Sequence, residues 1–215
     1  MAKSPATDKS DGNPPSDEYR TVSEPARAEI KVKGSRFIGS VESVRSVEDA
    51  EEFIGRISSE FHDATHNCFA YKVGIGKEIK NRYSDQGEPS GTAGSTIMNS
   101  IESSGLTNVA IVITRYFGGT KLGTGNLARA YAAAADEVLC QCKTVTRILF
   151  SEISLSVPAD MVSSVYHLAG NFYARVTEEI YSPDANFKLQ IRLSYIERFK
   201  RALTESTNGK VEFYN

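Results

Sequence analysis

One stretch of the chain places an apolar run, a glycine-rich turn and a helix-forming segment directly after one another. Residues 109–113 (VAIVI) have the length and β-branching of a buried strand. Residues 127–139 are rich in alanine and leucine and predict a helix. Between them, residues 115–126 (RYFGGTKLGTGN) contain four glycines. A chain with this order must turn at the end of a strand and begin a helix at that turn.

This order predicts an anion-binding site at the start of the helix. Glycine lets the backbone approach a ligand closely, and the free N–H groups of a first helical turn point at it. Lys121 and Arg115 would add positive charge. The spacing matches neither the P-loop nor the dinucleotide fingerprint. The alternative is a glycine-rich turn that packs a helix tightly on a sheet.

A second polar loop, residues 83–94 (YSDQGEPSGTAG), precedes an amphipathic stretch at residues 95–103. Thr92 is a plausible N-cap for that stretch, which predicts a second helix N-terminus at the end of a loop. Asp85 and Glu88 could hold a cation, orient a hydroxyl group, or pair with Arg115 or Lys121. The alternative is a surface turn made of turn-forming residues.

Composition limits the possible functions. The 215 residues suit one large or two small domains, and 40% hydrophobic with 24% charged residues is typical of a globular protein. No apolar run has the length of a membrane span, and the N-terminus lacks the apolar core of a secretion signal. We therefore expect a cytoplasmic protein with no membrane contact. The net charge is −2, so binding to nucleic acid would need a local basic patch.

The three cysteines are an odd number, which argues against an extracellular disulfide framework. His62, His66 and Cys68 do not show a recognised zinc spacing. We therefore predict buried thiols, no metal site and no cofactor.

Residues 1–25 are rich in Ser, Pro, Asp and Lys and predict a disordered leader. Residues 26–142 then predict an α+β domain: strands at 29–33, 36–44, 66–75, 78–83 and 109–113, and helices after Ser46, at 95–103 and at 127–139. Residues 143–215 predict a second domain with strands at 148–157, 173–180, 186–193 and 211–214 and helices at 159–168 and 195–204. That βαββαβ order is the ferredoxin-like arrangement.

Three segments together resemble the YigZ/IMPACT family of translation-associated proteins. They read HNCFAYKVG, SDQGEPSGTAG and NVAIVITRYFGGTKLGTGNLARAY, and the resemblance covers residues 33–138. It implies an N-terminal domain similar to those of a ribosomal protein and of GHMP kinases, followed by a ferredoxin-like domain similar to one in elongation factor G. Eukaryotic members are regulators that carry an RWD domain, and no segment of this chain resembles that domain.

The resemblance implies a non-enzymatic binding or regulatory protein whose partner is RNA or a ribosome-associated protein. The alternatives are a nucleotide- or phosphate-binding transferase or hydrolase, and a module that binds only proteins. Tyr116, Phe117 and Tyr131 are candidates for base stacking, although we expect Phe117 to be buried. The predicted site is the groove between the two loops, formed by Asp85, Glu88, Thr92, Arg115, Gly118, Gly119, Lys121 and Asn126. Arg115 has a second interpretation, as a buried strut paired with Asp85 or Glu88.

Overall fold

The computed structural model describes residues 17–214, which form two compact units. One unit comprises residues 19–147, and the other comprises residues 148–214 together with Asp17 and Glu18. The division lies five residues after the boundary expected from the sequence. Strand β7 (Thr144–Ile148) pairs with β1 (Glu18–Val22) in a two-stranded sheet, and that pairing keeps residues 144–147 with the first unit.

The predicted leader at residues 1–25 needs a partial correction. Residues 1–16 lie outside the described residues. Residues 18–22, however, form strand β1, and the side chains of Thr21 and Val22 are buried. Both residues are β-branched, which favours a strand. The Thr21 hydroxyl also donates a hydrogen bond to the Asn108 carbonyl, 2.8 Å away, and this bond helps to hold the short strand in place.

The first unit is built on a five-stranded antiparallel sheet whose central strand is the apolar run seen in the sequence. The sheet order is β2-β3-β6-β4-β5, and β6 is buried along almost its whole length. Its strands are β2 (Ala26–Val32), β3 (Ser35–Ser43), β4 (His66–Val73), β5 (Lys80–Ser84) and β6 (Val109–Tyr116). Its helices are α1 (Val47–Glu60), α2 (Gly94–Ser104) and α3 (Thr124–Gln141).

Helices cover both faces of this sheet. Ile111 and Ile113 of β6 pack into a core that contains α2 and α3, whereas Val112 faces a second core that contains α1. A strand buried on both faces reads as an uninterrupted apolar run, which is why β6 was recognisable in the sequence. Ser46 caps α1 by accepting a hydrogen bond from the Asp49 N–H at 3.1 Å, as the sequence predicted.

The second unit has the element order βαββαβ, and its four-stranded antiparallel sheet has the order β11-β8-β10-β9. Leu155, Leu189 and Phe199 are fully buried between the sheet and the helices. The chain is therefore an α+β protein. The elements are β8 (Phe150–Val157), α4 (Val162–Asn171), β9 (Arg175–Tyr181), β10 (Ala185–Arg192), α5 (Ile196–Ser206) and β11 (Glu212–Tyr214).

The predicted elements of this unit are all present with shifted ends, and two of them differ in more than their ends. The strand expected at residues 148–157 is split, because Ile148 ends β7 and β8 begins at Phe150. The helix expected at 159–168 begins with a 3₁₀ turn at Ala159–Met161 before α4. Tight first turns of this kind are common at helix termini.

Asp17 is the polar anchor of the second unit. Its buried carboxylate accepts two hydrogen bonds from the Arg192 guanidinium, at 2.8 and 2.9 Å, and others from the Ser194 amide and hydroxyl. The hydrogen bonds from Arg192 lower the pKa of Asp17 from 3.8 to about 2, against the opposing effect of burial. Its charged form is therefore stabilised in the folded state.

We expect Asp17→Asn to destabilise the second unit in a pH-dependent way. A carboxylate whose pKa is lower in the folded state stabilises the protein above its unfolded pKa, and this effect is lost as the pH falls through the folded pKa. The loss should be about 2 kcal/mol near pH 7 and should halve by about pH 3. Urea unfolding followed through the NMR signals of Leu189 measures it. Asp160→Asn, at an exposed position, is the control, and a pH-independent loss for Asp17→Asn would contradict the assignment.

Candidate functional site

Each of the two loops singled out in the sequence ends at the N-terminus of a helix in the first unit. The acidic loop (residues 85–93) connects β5 to α2, and the glycine loop (residues 117–123) connects β6 to α3. Helix N-termini carry unsatisfied N–H groups and a partial positive charge. The two termini are satisfied in different ways.

The N-terminus of α2 is closed by Asp85. Its carboxylate accepts hydrogen bonds from the N–H groups of Gly91, Ala93 and Gly94, at 2.8 to 2.9 Å. Burial raises the pKa of Asp85, but these three backbone donors outweigh it and hold the pKa below its ordinary value. The expected N-cap role of Thr92 is wrong, because its hydroxyl donates to the Pro89 carbonyl at 2.6 Å and Ala93 occupies the N-cap position.

The N-terminus of α3 is open. Gly123 precedes the helix, and no side chain in residues 17–214 caps it. Thr124 and Gly125 are exposed to solvent. The Asn126 amide donates to the Leu122 carbonyl at 2.9 Å, so it braces the glycine loop without occupying the N–H groups of the first turn. Of the two predicted junctions, only this one is free to receive an external anion.

A cavity of about 310 Å³ opens beside this N-terminus. Polar side chains at its base are His66, Glu88 and Arg115, and Lys121 lies at the glycine loop. The remaining wall is formed mainly by apolar groups and by the backbone at the start of α3. It consists of Thr65, Pro89, Phe117, Leu122, Gly123, Thr124 and Leu127.

Arg115 and Glu88 form a buried ion pair in this cavity wall. They are only 6% and 9% exposed, and the Arg115 Nη1 lies 2.5 Å from the Glu88 Oε1. The guanidinium also lies over the rings of Phe37 and Phe117, at 5.4 and 5.6 Å from their centroids. Its Nε is buried without a hydrogen-bond partner. This geometry is that of a strut, the second interpretation of Arg115 from the sequence.

The same carboxylate ties α3 to the sheet. Tyr131 is fully buried and donates its hydroxyl proton to the Glu88 Oε1 at 2.8 Å. The Cys68 sulfur lies 3.3 Å from the same hydroxyl, and burial raises the pKa of Cys68 to about 12. Cys68 is therefore a protonated core thiol. The sequence analysis did not identify Tyr131 as a hydrogen-bond partner of Glu88, although its helical spacing from Leu127 places it on the buried face of α3.

His66 completes the polar base of the cavity in a fixed orientation. Its Nδ1 lies 2.8 Å from the Gln86 carbonyl, which can only accept, so Nδ1 carries a proton. Its Nε2 lies 3.8 Å from the Glu88 Oε2. His66 does not pair with Cys68, and no group of three His, Cys, Asp or Glu side chains within residues 17–214 could hold a metal ion.

The predicted site residues therefore fall into four groups. Glu88, Arg115 and Lys121 line the cavity, whereas Asp85 and Thr92 belong to the closed end of α2. Asn126 lies in the first turn of α3, outside the cavity lining. Gly118 and Gly119 lie in the glycine loop and do not line the cavity.

Gly118 has a packing role that explains its identity. A Cβ atom added there would lie 1.9 Å from the carbonyl carbon of Gly34, so no larger residue fits. Its N–H donates to the Ser35 hydroxyl at 3.1 Å. The glycine loop is thereby fixed against the β2–β3 hairpin.

Phe117 contradicts the expectation of burial. Its side chain is 46% exposed and contributes to the cavity wall. The backbone at this position is fixed by a hydrogen bond from the Phe117 N–H to the Thr65 hydroxyl at 3.0 Å, and one ring face covers Arg115. The rest of the ring remains in contact with solvent.

Comparison with known proteins gives similarity along nearly the whole chain. Residues 33–139 match the Impact N-terminal domain. The chain is 35% identical to the IMPACT family member YvyE of Bacillus subtilis, over 89% of this chain and 88% of that protein. It is 27% identical to the IMPACT family member YigZ of Escherichia coli, over 85% and 90% respectively. A crystal structure of a hypothetical protein has a TM-score of 0.69 and 26% identity, covering 92% of this chain and 96% of that one.

We expect Arg115→Ala to cost about 3–5 kcal/mol of unfolding free energy, because it leaves the Glu88 carboxylate buried without its partner. Arg82→Ala is a matched control, since Arg82 forms an exposed ion pair with Glu51 and should lose under about 1 kcal/mol. Denaturant unfolding curves of both variants provide the measurement. Equal small losses would refute the strut.

We also expect Asp85→Ala to destabilise the first unit by about 1–2 kcal/mol, the usual cost of losing a helix cap. Thr92→Val removes the hydroxyl that the sequence suggested as the cap, and it should cost less. Hydrogen exchange of the α2 amides distinguishes the two, because only Asp85→Ala should accelerate exchange in the first turn. The reverse order would restore Thr92 as the cap.

Proposed function

The chain belongs to the IMPACT family, and on that premise we propose that it is a non-enzymatic binding protein that acts in translation and holds RNA through the cavity at the start of α3. The cytoplasm, where translation takes place, is the proposed site of action. No helix in residues 17–214 is long and apolar enough to cross a membrane.

The proposal extends to the fold of each unit, with the N-terminal unit similar to the ribosomal-protein and GHMP-kinase domains and the C-terminal unit ferredoxin-like. The βαββαβ order and the sheet order β11-β8-β10-β9 support the second assignment.

The observation that carries the proposal is the open N-terminus of α3 beside Lys121. The free N–H groups of a helix N-terminus and its partial positive charge favour a phosphate group. Lys121 is exposed and lines the same cavity as Gly123 and Thr124, the residues at the helix start. An RNA phosphate at this position would contact both the backbone N–H groups of the helix start and the Lys121 ammonium group.

The α2 terminus supports this interpretation by contrast. There the protein supplies its own anion, the Asp85 carboxylate, and three backbone N–H groups bind it. The α3 terminus also follows a glycine-containing loop, but no carboxylate of the described residues 17–214 binds its N–H groups. The N–H groups at the start of α3 are thus available to a ligand.

The charges of the cavity favour a phosphate at Lys121 over one at Arg115. The Arg115 charge is balanced by Glu88 at 2.5 Å and is largely shielded from solvent. Of the lysine and arginine side chains that line the cavity, Lys121 therefore carries the charge that is exposed and available to a ligand. Because the net charge of the chain is −2, this local arrangement must supply the attraction for RNA.

The buried groups near the cavity support binding without catalysis. The Cys68 thiol is protonated and enclosed, and the Tyr131 hydroxyl is committed to Glu88. Glu88 itself is committed to Arg115. A hydrolase would need a nucleophile with an oriented base at the cavity surface. Release of phosphate from a nucleoside triphosphate by the purified chain would favour the enzyme alternative.

We expect Lys121→Gln to reduce the salt dependence of RNA binding. Removing one phosphate contact should lower the log–log salt slope by roughly 0.7, the value for one charge on a single strand, or 0.9 on a duplex. Fluorescence anisotropy of a labelled 20-nucleotide RNA, titrated between about 50 and 200 mM salt, measures the slope. The thermal stability should change little, because Lys121 is exposed.

Lys143→Gln is the matched control for this experiment. Lys143 follows the opposite end of α3, and 18 helical residues at about 1.5 Å each place it ~27 Å from the cavity. Its exposed side chain pairs with Glu24. Absence of RNA binding at low salt, or identical slopes for the two variants, would overturn the proposed function.

A further inference from the structure

Phe117 is the least expected feature of the cavity, because a large apolar side chain lies half exposed beside an anion site. Its side chain is 46% exposed, yet the ring belongs to the wall that also contains Lys121 and the start of α3. A lone exposed aromatic on a convex surface would need no explanation. An exposed ring inside a concave site, next to phosphate-binding groups, provides a flat apolar surface for a ligand.

One face of the Phe117 ring is already occupied, and this defines the face available to a ligand. The Arg115 guanidinium carbon lies 5.6 Å from the Phe117 centroid and 5.4 Å from the Phe37 centroid. Arg115 is immobilised by Glu88, so the Phe117 face that it covers is closed to a ligand. A planar ligand can stack on the outer side of Phe117.

The Phe117 ring is held rigidly from the backbone. The Phe117 N–H donates to Thr65, the Gly118 N–H donates to Ser35, and Gly118 contacts Gly34 too closely for any side chain. A ring fixed before binding loses little conformational entropy when a ligand stacks on it. The position is therefore organised for stacking in the absence of ligand.

Combining the two features defines one class of ligand. The cavity offers a phosphate position at Lys121 and Thr124 and an aromatic surface at Phe117, and its volume of about 310 Å³ is at the small end for ligand sites. We infer that the RNA bound here is single-stranded, with one unpaired base stacked on Phe117 and a neighbouring phosphate at the N-terminus of α3. This inference rests on the proposed function and specifies its ligand. A duplex has its bases stacked internally and leaves no base face for Phe117.

The test uses the full chain and a nine-nucleotide RNA of uridines with 2-aminopurine at the centre, whose fluorescence is quenched when the base stacks. Wild type and Phe117→Tyr, which keeps the ring, should quench the probe on binding. Phe117→Leu, which keeps apolar volume without the ring, should abolish the quench and weaken binding by roughly 5- to 150-fold. Tyr83→Leu removes an equally exposed aromatic that does not line the cavity and should behave as wild type.

A second measurement on the unmodified protein avoids dependence on variant folding. The same RNA with an abasic central nucleotide should bind more weakly than the probe. Annealing to the complementary strand should remove this difference in affinity. Equal affinity for the intact, abasic and duplex RNAs, or equal quenching by Phe117→Leu and Tyr83→Leu, would overturn the inference. If RNA binding in that case still shows a salt slope that depends on Lys121, the inference fails but the proposed function survives. Absence of binding by every RNA would overturn both.

Discussion

The buried pair between Glu88 and Arg115 is the interaction on which the site depends. It joins the last residues of β6 to the acidic loop across 27 positions of sequence, and through Tyr131 it reaches α3 as well. Two charges withdrawn from water are tolerated only when they are paired and further hydrogen-bonded. Glu88 meets that condition with Arg115 and Tyr131, and the Phe37 and Phe117 rings shield the guanidinium. The base of the cavity beside this pair is therefore rigid.

This rigid base explains why the side chains at the cavity have different roles. Arg115 and Glu88 neutralise each other and serve as support, whereas Lys121 and the first turn of α3 remain available to a ligand. The two helix termini show the same division, since α2 is closed by Asp85 and α3 is left open. Of these two termini, the one at α3 is therefore the one where we propose that an anion binds. Phe117, supported from beneath by Arg115, adds an aromatic surface to that place.

The fold could be predicted from the sequence wherever its cause was local or periodic. The apolar run of β6 and the Ser46 cap of α1 each depend on residues close together in the chain. Strand β1 was missed because its apolar residues are few and stand among polar neighbours. Thr92 was mistaken for a cap because a hydroxyl three residues before a helical stretch fits the local pattern, whereas the actual cap, Asp85, acts from eight and nine residues away.

The order of the elements, the two glycine-containing loops, the acidic residues of the first loop and the basic residues of the second could all be read from the sequence. The sequence also left two roles open for Arg115, because neither charge nor spacing distinguishes a buried arginine from an exposed one. The packing of the folded chain distinguishes the two roles, because it brings the Glu88 carboxylate within 2.5 Å of the guanidinium and encloses both groups. It likewise exposed Phe117 and buried Tyr131, two aromatics of similar sequence character. Burial is a property of packing between distant segments, and for that reason the residues alone could not assign it.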